Sequence, residues 1–146
     1  MRFRIIIAGF FWVFGSICEA QEVRKFNAAR TDHSPKIDGE LDDRVWKETK
    51  PASNFIEFKP LPGRIETEDR RTEVKIVYDN TAIYIGARMY DEPDSIFREV
   101  MPRDNLANSD FLGIVFDPYL DRINAFGFYV SSTGTQFDAK YSNSGN

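Results

Sequence analysis

The sequence predicts an all-β fold, an antiparallel β-sandwich of jelly-roll type that is incomplete at its C-terminal end. Three observations predict it. Short runs of β-branched and aromatic residues recur at near-regular intervals, each bounded by Gly, Pro, Asn or Asp. Helical patterning is confined to one stretch of a few residues, too little for the crossover helices of an α/β sheet. The 146 residues, 42% hydrophobic and 14% aromatic, supply core-forming material for one domain.

The chain opens with a segment that is not part of that domain. Arg2 and Arg4 precede an apolar run over residues 5–17, and Cys18-Glu19-Ala20 places small side chains at −3 and −1. This is the pattern of a secretory signal over residues 1–20, and it predicts export to the periplasm, the outer-membrane surface or the extracellular space. A spanning helix needs about 18–20 apolar residues, whereas this run is shorter and is followed by the polar Gln21-Glu22 and by Arg24-Lys25. The bulky Ile17 before Cys18 is unlike a lipidation signal. Cys18 is the only cysteine, so cleavage after Ala20 leaves no disulfide, and stability rests on the core or on a bound ion. Cleavage also removes two arginines and one glutamate, which takes the formal charge from −4 to −5. An acidic chain without clustered Lys and Arg carries no footprint for nucleic acid or anionic membrane, and neutral partners fit better.

Residues 21–35 are predicted as an N-terminal extended segment, with a first strand over 23–31 that places Phe26 and Ala28 on one face. The folded domain is predicted over residues 36–146. Asp38-Gly39 signals a turn, and Leu41, Val45 and Trp46 stand at helical spacing behind Asp42 and Asp43, which predicts one short helical turn over 41–47 stopped by Pro51. Residues 55–58 alternate weakly before Pro60-Leu61-Pro62-Gly63 forces a loop. The clearest hairpin joins 72–78 to 82–90 through Asp79-Asn80-Thr81. Its face with Val74, Ile76 and Tyr78 is predicted to be core, and its face with Glu73, Lys75 and Val77 partly wet. Residues 95–101 read as a short helix or an irregular excursion. Strands over 111–117, 125–131 and 136–141 follow, linked by 117–121 and by Ser132-Thr133-Gly134. The tail 141–146 is polar and adds no closing strand. An edge left open in this way predicts that the chain is a fragment.

Trp46 is a candidate sugar platform, but its place on one short helical face with Leu41 and beside Val45 suits a plug at the end of the sandwich. Alternation puts Phe126 and Phe128 on one face, and Tyr129 on the other with Ala125 and Gly127. Tyr119, in a loop, is the best exposed aromatic candidate. Arg103, with a planar fork for hydroxyls or carboxylates, joins Asp104, Tyr119 and Asn124 as the predicted ligand-binding set. Asp110, Asp117 and Asp121 have the oxygen-rich character of a structural calcium site, without EF-hand spacing. Their alternative roles are turn formation for Asp110 and Asp117, and pairing with Arg103 for Asp104. Arg88 suits a surface or cross-strand ion pair. His33 is the only histidine, in a turn-rich segment, so mechanisms that need a His base with a second His ligand are excluded. No acid pair for glycoside hydrolysis stands out, and nucleophile-elbow, phosphate-loop and metalloprotease signatures are absent, so the chain is not predicted to be an enzyme.

The turn Lys36-Ile37-Asp38-Gly39, the run Leu41-Asp42-Asp43 ending in Trp46, the hairpin containing Tyr84, and Asp110-Phe111-Leu112-Gly113-Ile114-Val115-Phe116-Asp117 together resemble the family 9 carbohydrate-binding module. The stretch from Asp117-Pro118-Tyr119 to Phe126, then Phe128 and Gly134, extends the likeness over residues 36–141. The version it resembles is the amino-terminal domain of large secreted or outer-membrane-associated bacterial proteins of unassigned function. The resemblance implies a β-sandwich that binds polysaccharide or oligosaccharide without catalysis, often with structural calcium and often beside a glycoside hydrolase, in polysaccharide catabolism. Asp38, Gly39 and Trp46 would then be structural. Sugar-binding members clamp a sugar between two tryptophans, whereas Trp46 alone remains after signal removal. That departure carries the alternative expectation of a cell-surface domain that packs on a following outer-membrane β-barrel and binds no sugar.

Overall fold

A computed structural model describes residues 24–105 and 108–142; the predicted secretory signal lies outside the described residues. The chain is all-β. Strands β1 (Ala29–Arg30), β2 (Thr72–Tyr78) and β3 (Ile83–Met89) form one sheet in that order, with β1 parallel and β3 antiparallel to β2. Strands β4 (Phe111–Phe116), β5 (Ala125–Ser131) and β6 (Gln136–Tyr141) form a second, antiparallel sheet in chain order. The only helical pieces among the described residues are α1 (Arg44–Glu48) and two single turns at Glu68–Arg70 and Pro93–Ser95.

The hairpin and the last three strands lie where alternation and turn residues place them. The turn of the β2–β3 hairpin is organised by Asp79. One carboxylate oxygen accepts from Thr81 N at 2.7 Å, Thr81 Oγ1 at 2.7 Å and Ala82 N at 2.9 Å, and the other from Ser34 Oγ at 2.8 Å and Tyr84 Oη at 2.9 Å. These bonds favour the ionised form, with the Thr81 hydroxyl the largest contributor, and hold the Asp79 carboxyl far below the ordinary range.

The burial of this sheet departs from the prediction at the turn end of the hairpin, while Val74, Ile76, Ile85, Glu73 and Lys75 are all half-buried. Val77, on the face read as partly wet, is fully buried, whereas Tyr78 and Ile83 on the apolar face are exposed. Gly86 is the cause. It stands on the same face as Val77, opposite Lys75, and leaves a depression that Leu41 and Trp46 fill; a Cβ there would sit 2.6 Å from Leu41 Cδ2 and 3.5 Å from Trp46 Cη2. Lys75 keeps its charge out of the way by running its stem along this packing and donating from Nζ to the Trp46 carbonyl at 2.5 Å. Trp46 is 2% exposed, and its Nε1 has no hydrogen-bond partner.

The entry segment is shaped by its carboxylates. Gly39 adopts φ +88°, Asp38 Oδ1 accepts from Glu40 N at 3.0 Å, and Asp43 Oδ2 accepts from Lys36 N at 2.9 Å. Helix α1 starts at Arg44, later than the predicted 41, because the Asp43 carbonyl accepts the first helical N–H groups from Trp46 and Lys47 and leaves Leu41 free to reach Gly86.

The predicted first strand contracts, and the weakly alternating stretch pairs only once. Of residues 23–31 only Ala29 and Arg30 pair, against Val77 and Tyr78, and residues 24–28 are exposed. Residues 55–58 form a single bridge, Ile56 to Ile65, since their alternation is weak and Pro60 and Pro62 donate no hydrogen bonds. Of the two readings for residues 95–101, the irregular excursion holds over 96–101, which run as a strap without regular secondary structure. The carbonyls of Phe97, Glu99 and Met101 accept in turn from the hydroxyls of Ser132, Thr133 and Thr135, and Ser109 Oγ both donates to Glu99 O and accepts from Glu99 N. Ser109, Ser131 and Thr135 are buried polar residues, so these bonds satisfy groups that would otherwise be costly.

The two sheets do not enclose a shared, fully buried core among the described residues, where Trp46 and Val77 are the only buried hydrophobic side chains.

Candidate functional site: an aromatic face on the second sheet

In the second sheet, pairing register places Gly113 of β4 opposite Tyr129 of β5, and Tyr129 opposite Phe137 of β6, all on one face. Gly127 follows on the same face, between Val115 and Ala139. Glycine at 113 and 127 lets the Tyr129 ring lie down on the sheet. A Cβ at Gly113 would fall 2.5 Å from Tyr129 Cδ1 and Cε1, and one at Gly127 would fall 2.7 Å from Tyr129 Cε2 and 2.9 Å from Tyr141 Cε2. Phe111 and Phe137 flank the ring edge-on or tilted, at 5.8 Å and 69° and at 5.5 Å and 55°. The Tyr129 and Tyr141 hydroxyls are hydrogen-bonded to each other, and that bond raises the Tyr129 pKa above the usual tyrosine value. Phe111 and Tyr141 are 52% and 43% exposed. The result is a flat tyrosine floor between aromatic walls, held on strands.

At one end of this face lies the loop 117–124. Asp117 accepts from the backbone of Asp121 at 3.3 Å and Arg122 at 2.9 Å; Asp121 accepts from the backbone of Ile123 and Asn124, both at 2.8 Å, and from Asn124 Nδ2 at 2.7 Å. The Asn124 backbone bond is the largest cause of the lowered Asp121 pKa. Leu120 and Arg122 adopt left-handed φ of 55° and 59°, a strained arrangement for residues with side chains, and the loop presents Tyr119 at 68% exposure. Between loop and sheet, a cleft of about 280 Å³ is lined by Tyr119, Asn124, Ala125, Phe126, Lys140 and Tyr141.

No family model, curated protein or solved structure matches the chain.

The predicted ligand-binding residues fall into two places. Tyr119 and Asn124 line the cleft beside the aromatic face. Arg103 and Asp104 lie at the opposite end of β6, about 20 Å away along the strands. Arg103 is engaged there, donating to Gln136 Oε1 at 3.0 Å and Asp138 Oδ1 at 2.6 Å, with Asp104 at 3.8 Å. Asp104 has φ +65° and donates its N–H to Gln136 O at 2.9 Å.

The predicted calcium ligands do not converge. Asp110 precedes β4 and accepts from Phe97 N at 3.0 Å, whereas Asp117 and Asp121 lie beyond the other end of that strand and accept from backbone N–H groups of their own loop. No group of three metal-ligating side chains occurs among the described residues. Arg88 forms no ion pair among the described residues, because Glu73 opposite it is taken by Arg71 at 3.1 Å. His33 is exposed, and its N–H and carbonyl bond to the Thr31 hydroxyl.

Sequence reasoning missed Phe111, Phe137 and the two glycines as one unit. A signal existed: glycine inside two facing strands marks a place where something approaches the backbone closely. A larger concavity, about 990 Å³, lies elsewhere, beside Phe26, Asn54, Phe55 and Ile56. Its walls are loop segments joined by an Arg24 guanidinium to Asn54 carbonyl bond, so it lacks the rigid support that the strands give the aromatic face.

Proposed function

We propose that the chain is a non-catalytic carbohydrate-binding module of an exported protein, taking a polysaccharide or oligosaccharide on the aromatic face of its second sheet. The observation that carries this reading is the Tyr129 ring laid flat over Gly113 and Gly127 between Phe111 and Phe137. A flat, partly exposed ring matches the apolar C–H face of a pyranose, and adjacent hydroxyl and amide groups supply directional bonds to sugar hydroxyls. Tyr119, Asn124 and Tyr141 offer such groups in the neighbouring cleft. Such a module would serve capture of the glycan rather than its hydrolysis, in an accessory role beside a glycoside hydrolase.

Calorimetric titration of the chain with soluble glycans of several classes tests this. Binding to at least one class, abolished by Tyr129→Ala in a protein that keeps its circular-dichroism spectrum, is the expected result; a flat response to every class would falsify the proposal.

A second reading is favoured by a separate observation: the β2–β3 face bearing Val74, Ile76, Ile83, Ile85 and Met89 is apolar, and Ile83 and Met89 on it are exposed among the described residues. A cell-surface domain that packs this face on a further folded unit, such as a following outer-membrane barrel, would use it. Protection of the Ile83 and Met89 region from hydrogen exchange in the complete exported protein, but not in this chain alone, supports that role.

A further inference from the structure

We propose that Tyr129 and Tyr141 form an oxidative cross-linking site, where a peroxidase-class oxidant with hydrogen peroxide joins their rings into an intrachain dityrosine that staples β5 to β6. The site is built by register and stands apart from glycan binding. Tyr129 and Tyr141 share one face of adjacent strands, and both rings reach over Gly127, whose cross-strand neighbour Ala139 adds only a methyl group. The Cβ position that Gly127 leaves empty lies 2.7 Å from Tyr129 Cε2, 3.0 Å from Tyr129 Oη and 2.9 Å from Tyr141 Cε2. Those Cε2 atoms are the carbons ortho to the phenol oxygens. The two positions at which phenoxyl radicals couple therefore face one small gap.

The hydroxyls are hydrogen-bonded to each other, which gives the oxidation a route for its proton. A phenol that loses an electron becomes a strong acid, and the donor of the pair passes its proton to the partner oxygen and on to water. Each ring gives up one electron and one proton, and the two radicals pair to form the Cε2–Cε2 bond. Each coupled carbon then sheds its hydrogen, restoring the aromatic ring, while its oxygen regains a proton. The two electrons and two protons released overall reduce one hydrogen peroxide to two waters. Tyr141 is exposed, so an oxidant in solution reaches the pair. The chain has one cysteine and therefore no intrachain disulfide; a covalent bond closing the β5–β6 hairpin restricts the unfolded chain in the same sense. Of the other tyrosines, Tyr84 donates to Asp79, Tyr90 stacks on Arg71, and Tyr119 lines a cleft with Tyr141. Tyr119 is thus the competing partner.

The test treats the chain at micromolar concentration with a haem peroxidase and limiting hydrogen peroxide, both folded and in urea. Dityrosine is read by its fluorescence and by mass spectrometry after trypsin digestion. Trypsin cleaves after Arg103, Arg122 and Lys140, which puts Tyr119, Tyr129 and Tyr141 on three separate peptides. The expected product is a monomer lighter by two hydrogens, with residues 123–140 linked to 141–146. It should exceed between-chain dityrosine by about tenfold or more, as a millimolar effective concentration gives. It should vanish in Tyr129→Phe and in Tyr141→Phe, survive in Tyr119→Phe, and lose its dominance over the product linking 104–122 to 141–146 in urea. The purified cross-linked monomer should unfold at a higher denaturant midpoint than the untreated chain. Dityrosine that joins 104–122 to 141–146 in the folded chain, that forms mainly between chains, or that shows the same choice of partner in urea overturns the proposal. So does the absence of dityrosine under conditions that consume the tyrosines, and a midpoint that does not rise overturns the staple.

Discussion

At the scale of single residues, carboxylates hold this chain's turns. Asp79 gathers five hydrogen bonds from Thr81, Ala82, Ser34 and Tyr84, so the folded state binds its proton more weakly than the unfolded chain does. A depressed folded pKa means stability that is present above the unfolded carboxylate pKa of about 4 and is lost as pH falls towards the folded value. Asp121 acts with the same sign. Urea denaturation of wild type and Asp79→Asn from neutral to acid pH should therefore show midpoints that differ at pH 7 and converge as pH drops below about 4. Parallel curves would assign the stability to other acids. Trp46 is a packing residue, closed in by Leu41 and Gly86, with an indole N–H that goes unpaired. Trp46→Ala should cost about 3–5 kcal/mol in chemical denaturation, since the vacated space is walled by strand backbone and cannot close easily. A loss below about 1 kcal/mol would mean that the indole is not the plug of this sheet.

At the scale of elements, the strands with strong alternation and turn residues at both ends were legible, and those lacking one of these signals were not. The residues 72–78 and 83–89 show β-branched alternation around a carboxylate-led turn, and they pair over their full length. Residues 23–31 alternate but have no turn to bring a partner close, and pairing survives only at Ala29 and Arg30. The strap at 97–101 was illegible because its bonds come from hydroxyls some thirty-five residues later in the chain, and such side-chain ladders have no local period. Tyr119 is exposed, as its loop position predicts. The platform was missed because only cross-strand register brings Gly113 and Gly127 under one ring. Gly127→Ala makes that register testable. Its new methyl group meets both Tyr129 and Tyr141 within 3 Å, so the rings must lift from the sheet. Glycan binding should fall to the level of Tyr129→Ala at a cost of about 1–3 kcal/mol in stability, with the β-rich spectrum retained. Unchanged binding would show that the flat ring is not the contact.

For the whole molecule, the all-β class followed from composition and spacing, but which face would be core did not. Alternation ranks two faces of a strand by polarity, and it assumes that the apolar face finds a cover. Here the entry segment packs on the other face, where Gly86 leaves room for Leu41 and Trp46 and Lys75 donates to the Trp46 carbonyl. The apolar face with Ile83 and Met89 is left 57% and 53% exposed at those positions. An apolar sheet face of this kind in water binds apolar dyes and other copies of itself. The chain on its own should therefore enhance the fluorescence of an apolar dye and show concentration-dependent association in analytical ultracentrifugation. Ile83→Glu combined with Met89→Glu should suppress both while changing stability by less than about 0.5 kcal/mol, as substitutions away from packed contacts do. If the double variant instead unfolds, this face is already part of a core; if association persists unchanged, the adhesive surface is the second sheet, where Phe128 and Val130 present the next apolar stripe.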